Sequence, residues 1–470
     1  MSQGDTTKLA FYPPGTYAAF QKLTYLMSAS YYKNSYFKEE HFRQFPKLSD
    51  TSAPIYKMLF SDPDLPRKPI SELPLSRYFG SPFGQMIART GWDDGIHLAD
   101  KSSPVAVALM KVGEYNFGNH DHRDAGSFQL YYKGSLAIDS GLYAGDGKYG
   151  GPHQANYSKA TIAHNCILVF DPDDQSIKKK NDGGQRFVPE AKNLDDLLRN
   201  GFETGKVLGQ QFGPDPIEPD YTYLKGDITS AYSAKVKLYI RSFVFLNFKN
   251  KEHPAALIVF DKVVSSNKDF RKYWLLHSIE EPSVNGNVTT IRRSTDGYNG
   301  EMTNYCLLPE PDNLIIEKVG GPGHEFDVFG TNYPNKTTEK VDVKEQGAWR
   351  IQASPREAKE TDWFLNVMQV QDIGGLQPLT PAKLESDQMA GVKIFDRVVL
   401  FSKSGERLKD TVSLQATGEE ANLKFLVCDL MEGKWEVKKD SKTSSYTASK
   451  EGGAINFDGT AGSYTLTFAQ

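Results

Sequence analysis

The chain has 470 residues, 39% of them hydrophobic and 24% charged, with a formal net charge of −4. That is enough chain for a large core, and it offers no global basic field to recruit a polyanion. Nucleic acid is not an expected partner, because no Lys/Arg stripe extends beyond the short Lys178–Lys180 run, and no segment reaches the roughly 20 apolar residues that would span a bilayer.

The N-terminal residues MSQGDTTKLAFYPPG lack the basic start and apolar core of a secretory signal. The protein is therefore either cytoplasmic or read here from downstream of its natural start. Thr16–Ser30 places Ala19, Leu23, Leu26 and Met27 near one side of a helix. Tyr36–Phe45 and Ala53–Phe60 are two further helical candidates. The segment DPDLPRKPISELPL, Asp62–Leu75, is too rich in proline to continue a helix and reads as a stiff connector.

From about Phe79 the pattern changes to short β-branched and aromatic runs: Val105–Val112, Ser127–Lys133, Cys166–Phe170, Ala256–Val264, Tyr273–His277, Leu314–Val319 and Trp363–Val370. Gly, Asn, Asp and Pro separate them. Many strands without long helices between them predict stacked antiparallel sheets. A last block from about Val392 continues with VVLFSK, LKFLVCDL and SYTLTFA. It is either a small sheet domain or the tail of the sandwich. The expected division is a helical segment and linker over 1–75, a β-sandwich over 76–385 and a small β domain over 386–470.

Cys166, Cys306 and Cys428 are far apart and odd in number, so no disulfide framework is expected, although a single bridge remains open. Cys166 and Cys428 lie in apolar runs and read as buried hydrophobes. The 24 tyrosines suit carbohydrate, since a ring offers an apolar face and a hydroxyl at its edge. They equally suit packing in strands.

The chemistry-bearing stretch is Gly118–Asn165. His120, His122 and Asp124 alternate in what reads as a strand or strand edge, which would put all three on one face. Asp139 and His164 each sit at the end of an apolar run. His122, Asp139 and His164 offer three ligands of the kinds zinc accepts; the alternative is a metal-free polar cleft. His120 could serve as a base near neutral pH or as a further ligand. Tyr143 and Tyr149 lie in the loop GLYAGDGKYGGPHQANY, whose glycines let backbone approach a ligand closely. The alternative there is an ordinary surface loop. His277, after an apolar strand, reads as a packing residue.

ARTGWDDG (Ala88–Gly95), NHDHRDAGSFQLYYKG (Asn119–Gly134), AIDSG (Ala137–Gly141), TIAHN (Thr161–Asn165) and WRIQASP (Trp349–Pro355) followed by WFLNVMQV resemble, in order and spacing, the heparinase II/III-like polysaccharide lyases. The resemblance implies an α/α toroid, a large antiparallel β-sandwich and a small β domain, acting by β-elimination on uronic-acid glycans. Heparin or heparan sulfate would be the first substrates to consider, and an alginate-like polyuronate the next. Motif by motif, His120 resembles the catalytic histidine, and His122, Asp139 and His164 resemble the ligands of one structural zinc per chain. Tyr149 is assigned as the proton-transfer tyrosine, with Tyr143 and Asn119 on the substrate. The family's toroid is longer than the helical stretch here, and its tyrosine and carboxylate-neutralising Asn or His find no match. The chain thus reads as the C-terminal half or two-thirds of such a lyase, of which only a toroid remnant is present. Its partners would be an acidic polysaccharide and either a second copy or a missing toroid half. By resemblance its location would be periplasmic or secreted. Two other classes stay open: a non-catalytic glycan-binding zinc module, and a zinc hydrolase using metal-bound water.

Overall fold

The structure is a computed structural model that describes residues 24–44, 54–92, 101–142, 148–197, 201–336, 343–418 and 420–469. Helices cover 24–32, Ser35–Gln44 and Pro54–Phe60. Asn34 starts the second of them: its Oδ1 accepts the backbone N–H groups of Tyr36 and Phe37, each at 3.0 Å. Those donors would otherwise lack partners at a helix start. In the first helix Leu26 and Ala29 are buried, whereas Met27, expected on the same side, is exposed. Residues 16–23 of that expected helix lie outside the described residues. Among the described residues no helix is long and apolar enough to cross a membrane.

The rest is β. All seven strand runs expected from sequence form strands, for example Ala255–Ser265, Arg271–Ser278 and Thr361–Asp372. An eight-stranded antiparallel sheet runs in the spatial order 283–285, 288–293, 300–308, 361–372, 255–265, 236–247, 221–227, 206–213. Two neighbouring interior strands, Val236–Asn247 and Ala255–Ser265, are buried almost throughout. Alternation explains how one strand serves two cores. Tyr239, Phe243, Phe245, Leu257 and Val259 pack toward a five-stranded sheet (76–137) and a four-stranded sheet (167–170, 271–278, 314–320, 349–355), meeting Phe128, Leu130 and Trp274. Their neighbours Val244, Leu246, Ile258 and Phe260 point the other way, onto Val392, Ile394, Val399 and Phe401. Those four belong to a second five-stranded sheet, within 382–459, which in turn packs on a four-stranded sheet within 412–468 through Val398, Leu400, Trp435 and Leu466. The C-terminal block therefore backs directly onto the large sandwich. One strand pair in it, Arg397–Ser402 with Leu423–Val427, is parallel.

One buried ion pair crosses the first core. Arg241 and Asp261 face each other in the sheet register. Arg241 Nε donates to Asp261 Oδ1 at 2.6 Å and Nη2 to Oδ2 at 3.0 Å, and both side chains are 0% exposed. Burial opposes charge on the guanidinium, but the carboxylate beside it holds its pKa above the ordinary arginine value. The remaining nitrogen, Nη1, donates to the backbone oxygens of Gly126 at 2.5 Å and Asn165 at 2.8 Å. The central sheet thus grips the two loops that build the site. The three cysteines are free and buried, which closes the question of a disulfide.

Candidate active site and metal centre

The segment around the histidines is not a strand. Between the strands Val107–Lys111 and Phe128–Tyr131 the chain makes a loop in which Gly118 (φ 74°) and Asn119 (φ 51°) are left-handed. Local side chains take the hydrogen bonds a ladder would need. Asp121 Oδ2 accepts the Phe117 N–H at 2.9 Å, Asn116 Oδ1 accepts the Gly118 N–H at 2.9 Å, and Asn116 Nδ2 donates to the His122 carbonyl at 2.7 Å. The strict alternation expected for His120, His122 and Asp124 therefore fails. Asn119 and His120 are exposed at the tip, His122 is half-buried, and Asp124 is buried, where its Oδ1 accepts Lys111 Nζ at 2.7 Å.

Asp139 follows the short strand Ser135–Ala137, and His164 follows a single 3-10 turn, Thr161–Ala163. Asn165 fixes both. Its Nδ2 donates to the carbonyls of Phe128 (2.8 Å) and Ile138 (3.0 Å), and its Oδ1 accepts the His277 N–H at 2.9 Å. His277 itself is wholly buried, with Nε2 at 2.9 Å from the Ile162 carbonyl, as a packing residue should be. Asp182 and Gln185 brace the same turn, accepting the Ile162 N–H at 3.0 Å and clasping both backbone groups of Ala125. Gly184 must be glycine here, since a Cβ would lie 2.4 Å from that of Thr161.

The result is a compact polar cluster on the far side of the strand Phe128–Tyr131 from the core. His164 Nδ1 lies 2.9 Å from Asp139 Oδ1, and Gln129 Nε2 donates to Asp139 Oδ2 at 2.5 Å. Ligand atoms of Asp124, Asp139 and His164 all lie within 4.8 Å of one another. The His122 ring centroid is 5.1 Å from that of His164. Burial opposes protonation of His164, but the Asp139 carboxylate outweighs it and raises the pKa. Burial, followed by the positive neighbours, holds His122 well below the ordinary histidine range, as a neutral imidazole.

Three atoms of this cluster are buried without a hydrogen-bond partner among the described residues: His122 Nδ1, His164 Nε2 and Gln129 Oε1. Unpaired buried acceptors and imidazole nitrogens are costly. Two free ring nitrogens beside two carboxylates are also the donor set that a divalent cation of the zinc type accepts. The residues fit such an ion. Of the expected trio, Asp139 and His164 come together, but the third member of the close group is Asp124, not His122, whose ring lies beside that of His164; Gln129 holds Asp139. Asp124 was visible in sequence only as a member of the histidine face. Gln129 had one signal, a polar residue inside the apolar run SFQLYY.

At the rim, His120 and Tyr149 are exposed, with ring centroids 6.0 Å apart. Lys159 donates through Nζ to the Asn119 carbonyl and accepts the Arg123 N–H on its own carbonyl at 3.1 Å, so it brackets the turn that carries His120. Tyr143 lies outside the described residues.

Two family models match the sequence: "Heparinase II/III-like, C-terminal" over residues 95–302 and "Heparinase II C-terminal domain" over residues 383–468. No curated protein matches the chain. Among solved structures, the heparan sulfate lyase HepC from Pedobacter heparinus is similar over 82% of this chain and 48% of its own, at 15% identity and a TM-score of 0.49. A heparinase III structure is similar over 76% and 48%, at 13% identity and a TM-score of 0.45. The chain spans about half the length of these proteins.

Proposed function

The chain belongs to the heparinase II/III-like family, and from that premise we propose that it is a polysaccharide lyase, or the β-rich portion of one, cleaving uronic-acid glycans by β-elimination. Heparin or heparan sulfate is the proposed substrate. The observation that carries this reading is the exposed His120–Tyr149 pair, 6.0 Å between ring centroids, with His120 two residues along the chain from His122.

Elimination removes the proton α to the uronate carboxylate and delivers a proton to the departing glycosidic oxygen. His120 offers an imidazole that can take the proton, and Tyr149 a hydroxyl that can give one. Both are open to a polymer too long to enter a closed pocket. Asn119, exposed beside His120 at the tip, would meet the substrate. His122, Asp139 and His164 would hold one structural zinc, with Asp124 and Gln129 around it. Bound there, the ion supplies a fixed positive charge that ties the His120 loop to the strand ends. No hydrolytic water is required of it, because elimination uses none. We place the protein's work in the periplasm or outside the cell, where such polymers occur.

The test is the product. Purified protein should bind heparan sulfate, heparin or a polyuronate but cleave it slowly or not at all on its own, because the toroid's tyrosine and carboxylate neutraliser have no match. Supplied with a toroid half it should generate an unsaturated uronate seen by ultraviolet absorbance and by mass, and His120→Ala should abolish that product. A saturated product would point to hydrolysis, and neither binding nor product across the panel, with the toroid half supplied, would overturn the lyase reading.

A further inference from the structure

Immediately before the His120 turn, the same loop exposes two aromatic rings. Tyr115 and Phe117 are 40% and 38% exposed, and their rings lie parallel, 5.8 Å between centroids and 8° between planes. Phe202, itself buried, backs Phe117 at 5.9 Å. Residues i and i+2 of an extended segment share a face, which explains the alignment. The segment is extended because Tyr115 bridges to Glu203 and the Asn116 N–H donates to the Phe202 carbonyl at 2.9 Å. Neither ring plugs a gap in the core, so both leave apolar surface in water that a ligand could cover.

We propose that Tyr115 and Phe117 form a second saccharide subsite, stacking on the apolar C–H face of a sugar ring of the same glycan whose reacting unit lies at His120. This rests on the glycan-lyase reading and extends it. Three observations favour a sugar over a protein partner. The two rings of the platform are parallel and stacked, and the exposed aromatic face they offer matches the face of a pyranose and is not a groove fitted to a helix or strand. Its backbone is rigidly coupled to the reacting loop, through Asn116 Nδ2 to the His122 carbonyl and the Phe117 N–H to Asp121. Gly118 joins the rings to the turn at a point where a Cβ would lie 2.7 Å from the Glu190 Cα, so only glycine fits the close approach there. A glycan held on the rings is thereby held in register with His120 and Tyr149.

Binding of size-defined heparan sulfate and unsulfated polyuronate oligosaccharides to the whole chain, measured by titration calorimetry, tests this. Tyr115→Ala/Phe117→Ala should weaken binding about tenfold or more, whereas Tyr115→Phe/Phe117→Tyr, which keeps both rings, should bind within about twofold of the parent. The single Tyr115→Ala, which leaves the Phe117–Phe202 contact intact, covers the case in which the double alanine variant does not fold. It should weaken binding measurably at an unchanged melting temperature. Equal binding by parent and folded alanine variants would overturn the platform and leave the lyase reading standing. A parent that binds none of the oligosaccharides would overturn both.

Discussion

The Arg241–Asp261 pair gives the sharpest test of how the core supports the site. In Asp261→Asn the shape is kept but the guanidinium loses its counter-charge in a place with no water. Removing one partner of a buried pair costs about 3–5 kcal/mol. For a chain of this length, at about 2 cal/mol/K of unfolding entropy per residue, each kcal/mol is worth about 1 °C, so the melting temperature should fall by roughly 3–5 °C. The double variant Arg241→Met/Asp261→Leu separates two explanations. If the pair mattered only as a pair, replacing both charges with apolar groups would be neutral or stabilising. Here Arg241 Nη1 also serves the carbonyls of Gly126 and Asn165. The double variant would leave both unpaired in a dry core at about 1–3 kcal/mol each, so it should stay about 2–6 kcal/mol less stable than the parent. Calorimetry on the three proteins, with metal content measured on each, decides. A double variant as stable as the parent, with its metal retained, would refute the claim that the central sheet holds the site loops through this arginine.

Metal analysis of protein purified without chelator should find one zinc per chain, and His122→Ala should remove it and lower the melting temperature; unchanged metal and stability in that variant would exclude the site. Glu280 gives the pH dependence: burial opposes its charge, but donors from Ser294, Thr295 and Arg293 outweigh this and bring its pKa down to about 2 from 4.5. A carboxylate depressed on folding contributes stability that is complete above the unfolded value and is lost as pH falls through the folded one. Acid titration should therefore show a loss of stability between about pH 4.5 and 2 that is shallower in Glu280→Gln, and identical acid limbs would contradict it. All three thiols are buried, and burial pushes Cys306 up to about 12 and the other two above their ordinary value. A thiol reagent should thus be inert toward native protein and titrate three groups only after unfolding, so rapid native labelling would place a cysteine at the surface.

The β architecture was legible because its strands carry β-branched and aromatic runs cut by turn residues. Thr361–Asp372 and Leu314–Gly320 appear within a few residues of where their sequences place them. Strands such as Lys206–Gly213 (KVLGQQFG) were not legible, since glutamine and glycine dilute the pattern and only pairing with Tyr221–Asp227 makes them extended. The histidine segment was misread as a strand because polar alternation imitates one. Asn116 and Asp121 instead bind their own backbone, a competition that periodicity does not register. Asp139 and His164, which the fold brings together, could be gathered from their positions at the ends of apolar runs. Arg241 could not, since nothing in YIRSFVF says that a lone arginine reaches across a core to a loop 76 residues away in sequence.

The two-faced central sheet limits how this protein can change. From Tyr239 onward Val236–Asn247, like Ala255–Ser265, supplies one core with its odd-numbered residues and the other with its even-numbered ones; Val236, beyond a register shift, joins the first core. A substitution in either strand disturbs one core. Inserting or deleting a single residue would exchange the two sets for the rest of that strand, and would carry Arg241 or Asp261 to the wrong side as well. Variation in length is therefore confined to the turns, while these strands can drift only residue by residue at fixed length.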